Sequence, residues 1–515
     1  MNRVALLPLD DRPVNYDHPW WLGRAAGIDV RRPPREWLGN PFRKADGGRL
    51  SAWVGDEGLS ADAVVVAIDT LAYGGLIPSR QSAAPLQEVV RNLEPLKQLR
   101  ASRPELSILA FSILMRINRS NSAEEEKPYW AKHGADLFRL SYLEDKANVR
   151  DASPMELEEL RQLGSEIPAE VVVDYRDGRA RNHAINLLML DWAEDGLLTY
   201  VVIAQDDTAL YGWNIAESRV LRKDVAHRRL DDRAIVYPGA DEVASLLVAA
   251  FACRADGFRP KVFTRYSSAV GPTIVTEYED RPLDQLVEAH LGPLAGTVTT
   301  SVEEADLVIA LNAPREETGD VSEVETLAAV IEADVATGRN VAVVDVAFVN
   351  GADLAFAGRL IKQDSLVRLG AYSAWNTAGN SLGSALAQGV VRAMSIGTDA
   401  PDDVVSAHVA LLAIHLLDDY AYQAIVRPEA MREDLPALGL ASTYERLPGA
   451  FVPLIEKRIG ERMARHVNAL ARQLRATTII NGSTSRRVSQ IEIDPPRLPW
   501  NRVFEIAITP RIEMA

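Results

Sequence analysis

Short apolar runs, rich in valine, isoleucine and alanine and lacking any polar alternation, recur along the chain and end in polar or glycine-rich clusters. Helix-length segments lie between them. The pattern predicts strands at 3–9, 63–68, 107–112, 199–204, 234–237, 261–266, 306–311, 340–346 and 369–373. Strands that are apolar on both faces belong in a parallel sheet covered by helices, which makes the fold class α/β. Two architectures host this rhythm: two tandem doubly wound, Rossmann-like sheets, or a single (β/α) barrel with insertions. The tandem arrangement is preferred, because residues 297–314 hold a short strand, a one-turn connection and another strand in too little chain for a barrel unit.

The same reading divides the chain. Residues 1–257 form a first α/β domain, and 258–400 a second, with Gly257 and Pro260 punctuating the boundary. A helical insertion at 118–196 carries helices at 121–147, 155–163 and 182–194, with a weak strand candidate at 171–173. Such an insertion serves as a lid or substrate wall, or as an extra packing layer. Residues 401–478 are helical, at 407–424 and 453–476, and 479–515 form an extended segment, at 488–493 and 503–508, returning to a main domain.

Composition narrows the function. With 47% hydrophobic positions among 515 residues, buried cores are expected rather than disorder. The formal net charge of -16, without a Lys/Arg stripe to offset it, makes nucleic acid a poor partner and a small molecule a better one. Asp10 and Asp11 interrupt the N-terminus before a signal-peptide core could form, and no apolar run approaches bilayer length, so no membrane partner is expected. The single cysteine, Cys253, sits in an apolar stretch and reads as a core residue in a reducing compartment, which together suggest a cytoplasmic protein. None of the eight histidines forms an HExxH or HxH pair, and Walker and Gly-x-Gly-x-x-Gly motifs are missing. Zinc and a nicotinamide dinucleotide are therefore not expected. Chemistry here rests on carboxylates.

Ligands of parallel sheets bind beyond the carboxyl ends of the strands, so polar residues there are the candidates. The first strand runs into Asp10-Asp11-Arg12-Pro13-Val14-Asn15, which can hold sugar hydroxyls, a metal or a catalytic acid, or can be a turn with Arg12 paired to Asp11. The second ends in Asp69 and continues to Tyr73-Gly74-Gly75, where glycines let amides approach a ligand or simply make a turn. Arg116 and Asn118 follow the third, suited to an anion or to solvent. After the fourth come Asp206 and Asp207. Adjacent carboxylates at a buried strand end repel, so one stays protonated beside an ionised partner. The pair could instead ligate a divalent metal, or Asp207 could cap a helix near Ala209. Asp241, after the fifth strand, reads as a helix N-terminal carboxylate. Farther on, Asp345, Asn350 and Asp353 supply oxygens around Gly351. Trp375 could stack on a sugar, while Asn376 and Asn380 bond hydroxyls.

The run 7–15, with 69–75, Gln205-Asp206-Asp207 and Trp375-Asn376-Thr377-Ala378-Gly379-Asn380, resembles a bacterial family known as domain of unknown function 4127, over nearly the whole chain. The resemblance implies membership and carries no activity with it. The residues themselves predict a carbohydrate-active hydrolase, a glycoside hydrolase without a cofactor, in which Asp206 and Asp207 are general acid and charged partner. Around a sugar substrate would lie Asp10, Asp11, Arg12, Asn15, Asp69, Tyr73, Arg116, Asn118, Asp345, Asn350, Trp375, Asn376 and Asn380. Two other readings stand beside it. One is a Mg²⁺- or Mn²⁺-dependent isomerase or lyase of a sugar or sugar acid, with Asp10, Asp206 and Asp345 as ligands. The other is a non-catalytic protein that closes two α/β domains around a solute.

Overall fold

The computed structural model describes residues 1–315 and 321–515. Every one of the nine apolar runs contains a strand. β1 (Arg3–Leu7), β2 (Asp29–Arg31), β3 (Ala63–Ala67), β4 (Ser107–Leu114), β5 (Tyr200–Gln205) and β6 (Ala234–Pro238) form a parallel sheet in the order β2-β1-β3-β4-β5-β6. β7 (Lys261–Tyr266), β8 (Thr297–Val298), β9 (Leu307–Asn312), β10 (Val341–Asp345) and β11 (Ala371–Ser373) form a second parallel sheet in the order β8-β7-β9-β10-β11. Counted from its own first strand, each sheet reads 2-1-3-4-5, with β6 extending the first. In this winding the chain reverses its direction of growth beside the first strand, and a crevice opens at the carboxyl end there. Among the described residues no pairing closes either sheet into a barrel, and the tandem doubly wound arrangement is the observed one.

The helices that position the site are α1 (Trp130–Asn148), α2 (Pro154–Glu166), α3 (Ala169–Glu194), α4 (Trp213–Arg228), α5 (Val243–Asp256), α6 (Ala378–Ile396), α7 (Asp402–His415) and α8 (Val452–Leu474). α5 packs on β3 and β4, α6 on β9, β10 and β11, and the two helices pack on each other. The layers therefore run sheet, helix, helix, sheet. A helix with neighbours on both sides must be apolar all round, and Val243 through Cys253 are buried without exception. Each such leucine or valine contributes about 1.5–3 kcal/mol. Cys253 is a core thiol whose burial pushes its pKa up to about 12. At the start of α6, a Cβ on Gly379 would lie 2.4 Å from the Pro238 carbonyl oxygen, so only glycine lets this helix touch the loop after β6.

The insertion is helical, as α1, α2 and α3, with a Ser153/Glu156 capping box opening α2. The strand candidate at 171–173 is overturned: these valines lie inside the 26-residue α3, whose length overrides local β preference. After α7 comes an i→i+5 helix, Leu416–Val426. The stretch Asp402–Glu433 has a window of mean hydropathy 1.3, apolar enough for a bilayer by length and composition, but 83% of that window is buried within the protein. The chain ends in a small antiparallel sheet of β12 (Thr478–Asn481), β13 (Thr484–Ile493) and β14 (Pro510–Met514). Residues 503–508 form no regular strand beyond a single bridge between Ala507 and Arg497. Val503, Phe504 and Ile506 are buried, and the segment passes over the strand ends of the sheets.

Candidate active site

The carboxyl ends of both sheets open into one cleft of about 250 Å³. The first sheet contributes Arg12, Arg80, Arg116, Asp206, Asp207 and Asp241, and the insertion contributes Asn118, Arg119, Ser122, Glu124 and Glu125. Tyr278, Asn350, Asn376 and Asn380 come from the second half, and Tyr444, Trp500, Arg502 and Phe504 from the C-terminal part. The volume lies below the roughly 300–1,000 Å³ of sites for drug-sized molecules, so the fitting occupant is small. Hydrogen bonds tie the halves together at the site. The Thr208 backbone N–H and hydroxyl donate to the Tyr278 carbonyl at 3.0 and 2.8 Å. The Asp241 N–H donates to Asn380 Oδ1 at 2.9 Å, and within the second half the Asn350 N–H donates to the Asn376 carbonyl at 2.9 Å.

Guanidiniums and carboxyls alternate along the wall. Arg12 donates to Asp10 at 2.7 Å and to both oxygens of Asp241 at 3.1 and 2.6 Å, with the Trp500 ring 4.9 Å away. Glu125, carried on the insertion, accepts from Arg80 at 3.1 Å, Arg116 at 3.0 Å and Arg502 at 2.8 Å. Arg80 also bonds Asp206, and Arg116 bonds Asp207 at 2.9 Å and Glu126 at 3.2 Å. Burial opposes the charge on Glu125, yet Arg502, Arg116 and Arg80 outweigh it and hold the carboxyl well below its ordinary range. Asp207 goes the other way: burial and the neighbouring Asp206 raise it despite Arg116 and Arg80. Burial likewise raises Glu126, and lifts Asp241 to about 6 despite Arg12. A site that keeps one carboxyl ionised and pushes another toward its protonated form has the means for acid catalysis.

The backbone is strained at the same place. Five cleft residues other than glycine have left-handed conformations: Asp207 (φ 37°), Tyr278 (67°), Asn350 (60°), Asn376 (64°) and Trp500 (57°). Each costs on the order of 1 kcal/mol, least for Asn and Asp, and such residues concentrate where function requires them. Asn350 Oδ1 is buried without a hydrogen-bond partner. The Asn376 loop is set from below by Asp419 of the i→i+5 helix, which accepts from the Ala374 N–H at 2.7 Å and the Ser373 hydroxyl at 3.2 Å.

Of the residues nominated from sequence, Arg12, Arg116, Asn118, Asp206, Asp207, Asn350, Asn376 and Asn380 line the cleft. Asp10 and Asn15 stand one layer behind, both bonded to the Arg12–Asp241 unit or its members. Arg12 is not paired with Asp11. Asp11 accepts from Trp500 Nε1 at 2.5 Å and faces a separate depression with Arg35. Asp69 is buried, accepts from the Ile113 N–H at 2.8 Å, and is lifted to about 6 by burial. Tyr73 is buried, Gly74 and Gly75 have φ of 92° and 133°, and none of the three lines the cleft, whereas Arg80 farther along does. Trp375 is no stacking platform: it is 6% exposed and packs with Val14 and Phe504. Asp345 is fully buried, accepting from Asn312 Nδ2 and the Asp353 N–H. Asp207 does not cap a helix, since α4 starts at Trp213.

Asp10, Asp206 and Asp345 are thus held by three different sets of partners, and they do not fit the divalent-cation site expected of them. Among the described residues no group of three His, Cys, Asp or Glu side chains could hold a metal ion. Sequence reasoning assigned Asp241 to a helix end and passed over Arg80, Glu125, Tyr278, Tyr444, Trp500 and Arg502. Only Asp241 and Arg80 carried a signal, as charges just beyond strands.

No curated protein and no solved structure matches the chain. The sequence profile of a protein family of unknown function, DUF4127, matches residues 4–509, and the chain belongs to that family.

Proposed function

We propose that the cleft is the active site of a carbohydrate-active hydrolase, a glycoside hydrolase with Asp207 as its general acid. The observation that carries this reading is Asp207 itself: a carboxyl raised by burial and by Asp206, on strained backbone, at the wall of a small polar cleft. In the proposed reaction the Asp207 carboxyl gives its proton to the glycosidic oxygen as the bond to the anomeric carbon breaks. Asp206, fixed by Arg80, supplies negative charge to the oxocarbenium-like carbon. Water adds its oxygen to that carbon and returns a proton to Asp207. Asn350 Oδ1, without a partner, and the Asn376 amide are suited to sugar hydroxyls. Tyr444 is 41% exposed, stacks on Phe504 at 4.2 Å and offers an aromatic face at the cleft mouth. A screen of aryl glycosides against wild type and Asp207→Asn tests the proposal. It expects turnover of some members by wild type and little by the variant. Turnover of none, or an unimpaired variant, would contradict it.

A further inference from the structure

The guanidiniums on the cleft wall are not equivalent. Arg12, Arg80, Arg116 and Arg502 are each committed to at least two carboxyls of the network and leave little capacity for a ligand. Arg119 is different. Its Nη2 donates to the Thr208 carbonyl at 3.0 Å, and among the described residues its one carboxylate is the exposed Glu277, 3.4 Å from Nη1. Its guanidinium lies over the Tyr278 ring at 4.6 Å. A guanidinium stacked by its face keeps its N–H edge available in plane, the geometry that accepts an oxyanion. Beside it, Asn118 Oδ1 is taken by the Ser120 N–H and hydroxyl, both at 3.0 Å, so the donors of its amide are what remains for a ligand. Ser122 adds a hydroxyl to the same wall.

We propose that this corner of the cleft, Arg119 with Asn118 and Ser122, binds an anionic group of the substrate, and that the substrate is therefore an acidic sugar rather than a neutral one. The inference rests on the hydrolase reading for its chemistry, but the recognition is a separate matter of charge and donors. A corner with a cation and neutral donors prefers a sugar bearing an oxyanion over the same sugar with a hydroxymethyl group, which offers the guanidinium no charge-assisted hydrogen bond. Carboxylate and phosphate share this chemistry. Both are tested.

Calorimetric titration of the full chain with D-glucuronate, D-glucose 6-phosphate and D-glucose decides it, using wild type, Arg119→Gln and Arg119→Lys. At least one of the two acids should bind wild type about tenfold or more tighter than glucose, and the better acid names the oxyanion. Arg119→Gln should remove that preference, and Arg119→Lys should keep part of it. Affinity for glucose should change far less than affinity for the acid. Equal affinity for acids and glucose overturns the proposal, as does a preference that survives Arg119→Gln, or saturation by none of the three. Turnover of neutral aryl glycosides with no preference for acids would leave the hydrolase reading standing while overturning this one. An Arg119-dependent preference without turnover of any glycoside would do the reverse.

Discussion

Glu125 joins three arginines at the site, and its replacement gives the sharpest prediction. Glu125→Gln keeps the shape and removes the negative charge that Arg80, Arg116 and Arg502 share at 3.1, 3.0 and 2.8 Å. Removing one partner of a buried ion pair costs about 3–5 kcal/mol, and because the Glu125 side chain is 15% exposed the lower end, about 3 kcal/mol, applies. A 515-residue chain has an unfolding entropy of about 1.1 kcal/mol/K, so the melting temperature should fall by about 3 °C at pH 7. The pH dependence has a definite sign. The folded-state pKa of Glu125 is depressed, so its contribution is complete above the ordinary value of 4.5 and is lost as pH falls toward the depressed one. Scanning calorimetry of both proteins should give a constant gap from pH 6 to 8 that narrows below about 4.5. A gap under 0.5 °C at pH 7, or one that does not change on acidification, would refute the reasoning.

Two further substitutions probe buried groups behind the cleft. Glu279 accepts from the Gly379 N–H at 2.8 Å, its other oxygen has no partner, and burial lifts it from 4.5 to about 8. A raised folded-state pKa means that wild-type stability declines as pH rises from about 4.5 through about 8. Glu279→Gln should therefore gain in melting temperature relative to wild type between pH 6 and 9, and a pH-independent difference would contradict this. Trp375→Ala should lower stability by about 3–5 kcal/mol through the cavity left beside Val14 and Phe504. A loss of sugar affinity with unchanged melting temperature would instead make Trp375 the stacking platform that its sequence position suggested.

The sheets were legible because both are buried on two faces: runs such as 63–67 and 341–344 are continuous hydrophobic stretches with no competing helical period. β2, three residues with Asp29 and Arg31 at its ends, has too little apolar content to stand out, and β14 is an edge strand whose alternation is exposed. Residues 503–508 are apolar because they cover the strand ends, a role that local pattern cannot separate from a strand. The site was legible where it follows strands, as at Arg12, Asp206 and Asp207. It was hidden where tertiary placement decides, since Trp500 and Arg502 reach Asp11, Arg12 and Glu125 from the far end of the chain. Trp375 and Asp69 show the converse. A strand end supplies position, but whether a side chain turns into the cleft or into the core depends on neighbours such as Phe504 and Ile113.

The central claim is that Asp207 carries the proton that cleaves the substrate. Its most direct test is the pH profile of kcat/KM for wild type and Asp207→Asn on an alkyl glycoside, whose leaving group requires protonation. Wild type should lose activity as pH rises through the raised pKa of Asp207, while the variant should fall by about 10²–10⁴-fold and lack that limb. A variant within about threefold of wild type, or with the same alkaline limb, would contradict the account.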